Sequence, residues 1–208
     1  MNTGLFNNVM RNRFPFIVFL LSILSYSQTI KVKNGFSITS IDSNVVSVLD
    51  KSVYAYSGSI GMEYLERDRF SLNTEIGYTQ KGGKEINPLI QGKYSEYQKK
   101  WDYLFLLTTF RYKFPVYNDF LFVGVGPRVD YLLDKKNNFT NTLYEEGYSL
   151  ERYVIGINPE VGFVKNTEKI SYGIEFSYLL GVTKIGGTEY NKLKSNAFTI
   201  SLNLGYKL

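Results

Sequence analysis

The sequence predicts an all-β fold: an eight-stranded antiparallel up-and-down β-barrel that crosses a membrane and follows a cleaved signal peptide. Bulky and small or polar residues alternate along most of the chain after residue 27. Aromatic residues make up 16% of the chain, with 18 Tyr and 15 Phe. No apolar run reaches the eighteen residues that a membrane helix needs. In a membrane strand only every second residue meets lipid, which explains how so aromatic a chain keeps a slightly negative mean hydropathy.

The first 27 residues have the pattern of a secretory signal peptide. Arg11 and Arg13 precede the apolar run FPFIVFLLSIL at residues 14–24, and Ser25 and Ser27 place small residues where a signal peptidase reads. The run is too short to span a bilayer as a helix. We expect cleavage after Ser27, which leaves a barrel domain at residues 28–208 whose formal charge falls from +5 to +3, and export to the bacterial outer membrane.

Eight segments are predicted as strands, and four of them alternate almost without interruption. The regular ones are residues 54–64, 70–78, 170–178 and 197–208, and the less regular ones are 35–41, 103–114, 121–132 and 153–164. Pro127 and Pro159 lie inside two of these strands. Because proline cannot donate to a β-ladder, we expect a bulge at each.

The connections between these strands alternate between short and long. Residues 66–69, 115–119 and 165–169 are short, whereas 42–52, 81–100, 133–150 and 181–196 are long. Outer-membrane barrels have short periplasmic turns and long external loops, and an even strand count places both chain ends in the periplasm.

The bulky face of each strand is expected to point into lipid. Eight strands enclose a space that side chains just fill, so the many Tyr, Phe, Leu, Ile and Val residues do not fit inside at native packing density. A soluble barrel would also carry more Lys and Glu on its outer face. Twelve aromatic residues near strand ends are candidates for two interfacial girdles: Tyr54, Tyr64, Tyr78, Tyr103, Tyr112, Phe114, Phe120, Tyr131, Tyr153, Phe163, Tyr178 and Tyr206.

Charged residues on the opposite face form the candidate site. Five are acidic and five are basic, which predicts a neutral network that fills and stiffens the lumen, since buried charge persists only when it is paired. An acid and base pair of carboxylates is the less favoured interpretation. The ten residues are Glu63, Glu75, Arg111, Lys113, Arg128, Asp130, Arg152, Glu160, Glu175 and Lys207.

The composition argues against catalysis and cofactor binding. The chain has no histidine, so a Ser-His-Asp triad and histidine metal sites are excluded, and it has no cysteine for disulfides or a lipid anchor. We therefore expect no catalytic residue, no cofactor, no metal and no nucleic-acid partner. The lysine-rich segment at residues 81–100 does not match a phosphate loop. Contact with lipopolysaccharide phosphates is one interpretation of its charge, and a solvated loop is the plainer one.

Three segments resemble the PorT-like outer-membrane β-barrel family of Bacteroidetes-type bacteria. They are FVGVGPRVDYLL at residues 122–133, YVIGINPEVGF at 153–163 and SYGIEFSYLLGVTKI at 171–185, and the terminal SLNLGYKL is similar to the last strand of that family. The resemblance implies an eight-stranded barrel. PorT belongs to a protein-secretion system, whereas most members of the family have no assigned role.

Three functions remain open at this point. The first is a non-enzymatic structural or interaction component, with an accessory role in protein secretion as its specific form. Its expected contacts are membrane lipid, lipopolysaccharide and a protein partner. The second is a small-solute transporter or channel, which a filled lumen disfavours. The third is an outer-membrane enzyme, which the absence of histidine disfavours.

Overall fold

The computed structural model describes residues 27–44, 49–67, 69–88, 94–133, 149–187 and 192–208. Apart from Ser27, the predicted signal peptide lies outside these residues, and its cleavage stays a prediction. The described part of the chain contains strands and no helix that could span a membrane. The strands are β1 (Ser27–Ser43), β2 (Val53–Arg67), β3 (Phe70–Pro88), β4 (Tyr94–Val116), β5 (Asp119–Leu132), β6 (Ser149–Leu150), β7 (Tyr153–Asn166), β8 (Ile170–Gly181), β9 (Gly186–Gly187) and β10 (Lys192–Lys207).

Eight of these strands close into one antiparallel barrel, which confirms the predicted fold class. The order is β1-β2-β3-β4-β5-β7-β8-β10, and β1 pairs with β10 to complete the ring. The two-residue strands β6 and β9 pair with each other, and β9 also pairs with β10. They lie at the end of the barrel that carries the long connections, here called the loop end. The opposite end, with the tight connections at residues 67–70, 116–119 and 166–170, is the turn end.

The predicted orientation of the two faces is confirmed by the exposure of neighbouring residues. Leu202 is 67% exposed whereas the next residue, Asn203, is 5% exposed. In β3, Ile76 is exposed and Glu75 is buried. This alternation continues around the ring, so the apolar side chains form the outer surface and the polar side chains fill the lumen.

Several strands are longer than the sequence pattern predicts. β1 starts at Ser27 rather than residue 35. The sequence pattern did not show this start, because the inward residues Lys31 and Lys33 obscure the alternation of Ile30 and Val32. The loop predicted at residues 81–100 is wrong. There, β3 runs to Pro88 and β4 starts at Tyr94, so most of the segment is a paired hairpin. The loop predicted at 181–196 is also too long, since β10 starts at Lys192.

The bulges expected at Pro127 and Pro159 are not present. The β5–β7 register runs without a shift through both prolines. The β4–β5 and β7–β8 ladders each skip two residue pairs beside a proline and resume in the same register. Each proline lacks an N–H and therefore interrupts the backbone hydrogen bonds beside it, but it does not add an unpaired residue to its strand. The register does shift between Tyr64 and Arg67 at the turn end, where Leu65 has a φ of 50°.

Candidate functional site: the barrel lumen

Arg111 of β4 lies in the middle of the lumen and is fully buried. Its Nε donates to Glu160 Oε1 at 2.6 Å, and its Nη2 donates to Glu175 Oε2 at 2.9 Å. The guanidinium also lies 3.7 Å from a carboxylate oxygen of Glu63 and 3.6 Å from one of Glu75. These four carboxylates come from β2, β3, β7 and β8. One side chain therefore ties strands from both halves of the barrel together.

Three lysines form salt bridges with most of the carboxylates around Arg111. Lys31 pairs with Glu63, and Lys33 pairs with both Glu75 and Glu175. Lys113 pairs with Glu63 and with Glu66 at the turn end. Among the described residues, Glu160 has Arg111 as its one salt-bridge partner, together with the Thr109 hydroxyl at 2.9 Å.

A second charged cluster lies nearer the loop end, around the buried Asp130. Its Oδ1 accepts hydrogen bonds from Arg128 Nε at 3.0 Å and Nη2 at 2.9 Å, and its Oδ2 accepts one from Lys81 Nζ at 2.9 Å. The Arg128 guanidinium lies 3.9 Å from the centre of the Phe105 ring. Lys81 lies 5.1 Å from the centre of the Tyr103 ring. Aromatic faces thus pack against cations that already have a carboxylate partner.

Glycine makes room for the central arginine. Gly124 pairs with Arg111 on one side and with Glu160 on the other. A Cβ at Gly124 would lie 2.8 Å from Glu160 Oε1 and 3.1 Å from Arg111 Cγ. The ring of Phe122 packs 4.4 Å from the Arg111 guanidinium carbon. On the lumen face of β5, the large Phe122 is thus followed by Gly124, and the space at the glycine accommodates the long side chains of Arg111 and Glu160.

The lumen is electrically balanced and nearly full. Among the described residues, the network joins the cations Lys31, Lys33, Lys81, Arg111, Lys113 and Arg128 to the carboxylates Glu63, Glu66, Glu75, Asp130, Glu160 and Glu175. A cavity of about 30 Å³ lies beside Lys33, Glu75 and Glu175. That volume has room for water but not for an organic solute.

Apolar side chains close the loop end above this network. Leu49, Leu150 and Ile185 come from the connections and are almost completely buried. They pack into one cluster with residues on the barrel wall. This cluster, called the apolar plug, consists of Ile41, Leu49, Trp101, Tyr103, Leu132, Leu150, Val154, Ile185 and Leu193.

The structure places eight of the ten predicted residues in the lumen and two outside it. Arg152 is exposed at the loop end, where its guanidinium lies 5.7 Å from the centre of the Tyr131 ring. Lys207 reaches the turn end and donates to the Thr167 carbonyl oxygen at 3.2 Å. The assignment of these two residues to the network is therefore wrong. Both have the inward parity, but they lie where the strands leave the lumen.

Sequence reasoning missed four members of the network and misplaced two aromatic residues. Lys31 and Lys33 precede the predicted first strand, Lys81 lay in a predicted loop and Glu66 in a predicted turn. The odd-numbered residues of β1 face the lumen, and continuing this pattern back to Thr29 would have identified Lys31 and Lys33. Tyr103 was expected in a girdle but is completely buried in the plug. Phe120 was also expected there, but its ring packs against Lys113 Nζ at 4.7 Å, on the lumen side.

The carboxylates of the lumen are held by cations rather than arranged around an open site. Among the residues that the structure describes, no group of three or more acidic residues is arranged to hold a metal ion. The chemistry that the arrangement supports is electrostatic cross-linking of strands. Removing water from these charges has a cost, which good geometry and multiple partners offset.

An outward apolar band around a filled, charged lumen defines this chain as an outer-membrane β-barrel protein. Specifically, it belongs to the family described as "Outer membrane protein beta-barrel domain", which matches residues 26–208. Comparison with curated protein sequences gives no match.

Comparison with solved structures gives matches at low sequence identity. Neisserial surface protein A (NspA) has a TM-score of 0.51 and 12% identity, over 86% of this chain and 97% of that one. Ail, the attachment invasion locus protein of Yersinia pestis, solved with the heparin analogue sucrose octasulfate, has a TM-score of 0.42 and 11% identity, over 88% and 99%. The Escherichia coli outer membrane protease OmpT has a TM-score of 0.37 and 10% identity, over 88% and 94%. At 12% identity the likeness to NspA concerns the fold alone.

Proposed function

We propose that this protein is a closed, non-enzymatic outer-membrane barrel that serves as a scaffold and presents its loop end to a partner. The filled lumen is the observation that carries the proposal. The two charged clusters cross the lumen, and the apolar plug covers one end of it. The alternative, a small-solute channel, requires a continuous polar path, and the cavity of about 30 Å³ beside Lys33 is too small to be one.

The same observation argues against catalysis in the lumen. A general acid or base must reach the proton that it transfers. Glu63, Glu75, Glu160 and Glu175 are all at most 4% exposed, and each has a cationic partner. A substrate would have to displace Arg111 or a lysine to reach any of them.

The loop end is the surface that we assign to partners. The β3–β4 hairpin continues past the barrel wall to Pro88 and Tyr94. Exposed cations at this end include Lys51, Arg152, Lys184 and Lys194. Basic side chains above the lipid band suit the phosphate groups of lipopolysaccharide, which we propose as the lipid contact. The resemblance to PorT-like barrels makes an accessory role in protein secretion the specific form of the proposal.

Conductance tests the closed lumen. Mature protein, refolded and inserted into planar bilayers, should show no steady current, with a porin inserted under the same conditions as the positive control. Stable steps of porin size would contradict the proposal and favour the channel.

The secretion role is tested in the bacterium that carries the gene. Gene deletion should reduce the export of secreted proteins, and the wild-type gene should restore it. A second complementing variant should join Lys84 to Gln98 through a short Asn-Gly turn, because these residues face each other across the hairpin. We expect this variant to insert normally but to leave export impaired. Unchanged export in the deletion strain would refute the accessory role.

A further inference from the structure

One side of the lipid-facing surface differs from the other in its polarity. Between the aromatic girdles, the outward positions of β5, β7, β8 and β10 hold Val, Ile, Leu, Phe and Pro. The outward positions of β1 to β4 include Asn34, Gly58, Thr74 and Thr108. The polar outward residues at this depth therefore lie on neighbouring strands in one half of the described barrel.

Asn34 is the residue on this side that lacks a partner. It lies on β1 between Ile30, which pairs with Tyr206, and Ile38, which pairs with Tyr54. Its depth is thus midway between the two girdles. Thr74 and Thr108 bond to each other at 3.1 Å, whereas the exposed Asn34 amide has no hydrogen bond within the described residues. A bare amide in hydrocarbon is costly because lipid tails cannot satisfy it.

A hollow beside Asn34 completes the feature. Gly58 pairs directly with Asn34, and the Tyr56 phenol lies over it, with the hydroxyl 2.7 Å from where a Gly58 Cβ would stand. The hollow around these two residues measures about 490 Å³, with Tyr56, Ile60 and Tyr78 among its walls. A second hollow of about 500 Å³ adjoins it and shares the Ile60 wall. A shallow hollow of about 280 Å³ also lies on the other side of the barrel, beside Pro159 and Phe198, so it is the unpartnered amide that sets this face apart.

We propose that this surface, the Asn34 face, is where two copies of the chain associate within the membrane. The amide of asparagine both donates and accepts hydrogen bonds, so two Asn34 side chains related by a two-fold axis satisfy each other. Over Gly58 only the end of the Tyr56 side chain separates the two backbones, and when it turns aside they can approach as they do at small residues of membrane interfaces. An acyl chain would fill the hollow without bonding the amide, and lipid headgroups lie about 15 Å away, half the thickness of the hydrocarbon core.

Cross-linking tests the location of the contact. The chain has no cysteine, so single-cysteine variants are clean reporters. Ile60→Cys places a thiol in the Asn34 face. Val125→Cys is the matched control, because Val125 is an exposed lipid-facing residue on β5, three strands from Ile60 on β2 and four from Asn34 on β1 around the ring of eight. In lipid vesicles, oxidation should link Ile60→Cys into dimers and leave Val125→Cys monomeric. Equal linking of both variants, or of neither, would overturn the proposal.

Association strength tests the role of the amide. Protein labelled at Lys51→Cys, an exposed loop-end position, would be followed by energy transfer as lipid is added to dilute it. Asn34→Leu should weaken dimerisation about ten-fold, because it removes the reciprocal pair of amide hydrogen bonds, each of which is modest in a membrane. Gly58→Ile, which fills the hollow, should weaken it as well. Both variants should keep the heat-modifiable gel shift of a folded barrel, since each adds apolar surface toward lipid. A monomer at every lipid ratio, or an unchanged dimer in Asn34→Leu, would refute the proposal.

Discussion

Replacing Arg111 with methionine should destabilise the barrel more than any other single charge removal. Methionine keeps the unbranched stem and removes the guanidinium. The change deletes hydrogen bonds of 2.6 Å to Glu160 and 2.9 Å to Glu175. Glu175 keeps Lys33 as a partner. Glu160, which is 4% exposed, keeps only a hydroxyl among its described partners.

The expected loss follows from that single orphaned carboxylate. Leaving a buried charge without its partner costs about 3–5 kcal/mol in the free energy of unfolding. The double variant Arg111→Met with Glu160→Gln neutralises the orphan and should recover about half of that loss. The neighbouring cavity has room for water, which would solvate the orphaned carboxylate and favour the lower part of that range.

Denaturant unfolding in lipid vesicles, followed by the gel shift without boiling, measures these values as a double-mutant cycle. Arg152→Met is the matched control. Its guanidinium is exposed and contacts a Tyr131 ring, so its loss should cost less than about 1 kcal/mol. If Arg111→Met costs no more than Arg152→Met, the lumen network does not hold the barrel together.

Three further predictions follow from the lumen and from the outer face. Ile174→Arg puts a charge on the lipid face and should cost roughly 2–4 kcal/mol in bilayer folding, whereas the lumen-facing Ser177→Ala should change it little; equal folding of both variants would contradict the orientation of β8. Gly124→Val pushes a side chain between Arg111 and Glu160, so we expect this variant to unfold at a lower denaturant concentration than Gly124→Ala. The reverse order would refute the packing described at Gly124. Trp101, the single tryptophan, is 4% exposed in the plug, so its emission should be blue-shifted and weakly quenched by aqueous iodide; quenching as strong as that of free indole would show that the plug is open.

The strand pattern could be predicted because alternation is a local property. Ile170, Tyr172 and Ile174 must share a face whenever the backbone is extended. The outward direction of that face followed from volume alone, since eight strands cannot enclose so many bulky side chains. Family membership agrees with this fold and adds no residue-level role.

Strand ends could not be predicted from the same pattern. Lys31 and Lys81 have the inward parity, but a charge at the end of an alternating run is equally typical of a loop. Their assignment depends on partners 32 and 49 residues away, Glu63 and Asp130. Likewise, Arg152 has the inward parity and still lies outside, because no lumen wall faces it.

The sequence by itself therefore determined the barrel, the face toward lipid and most of the charged residues inside. Only the tertiary structure decided which charges meet, that Arg111 is the central one, and that Tyr103 belongs to a plug rather than a girdle. The physical reason is that parity is set by each residue's own backbone, whereas pairing depends on the register of strands distant in sequence. Asn34 shows the same division: its polarity is visible in the sequence, but its lipid exposure at mid-depth, beside the hollow at Gly58, is set by the closed ring.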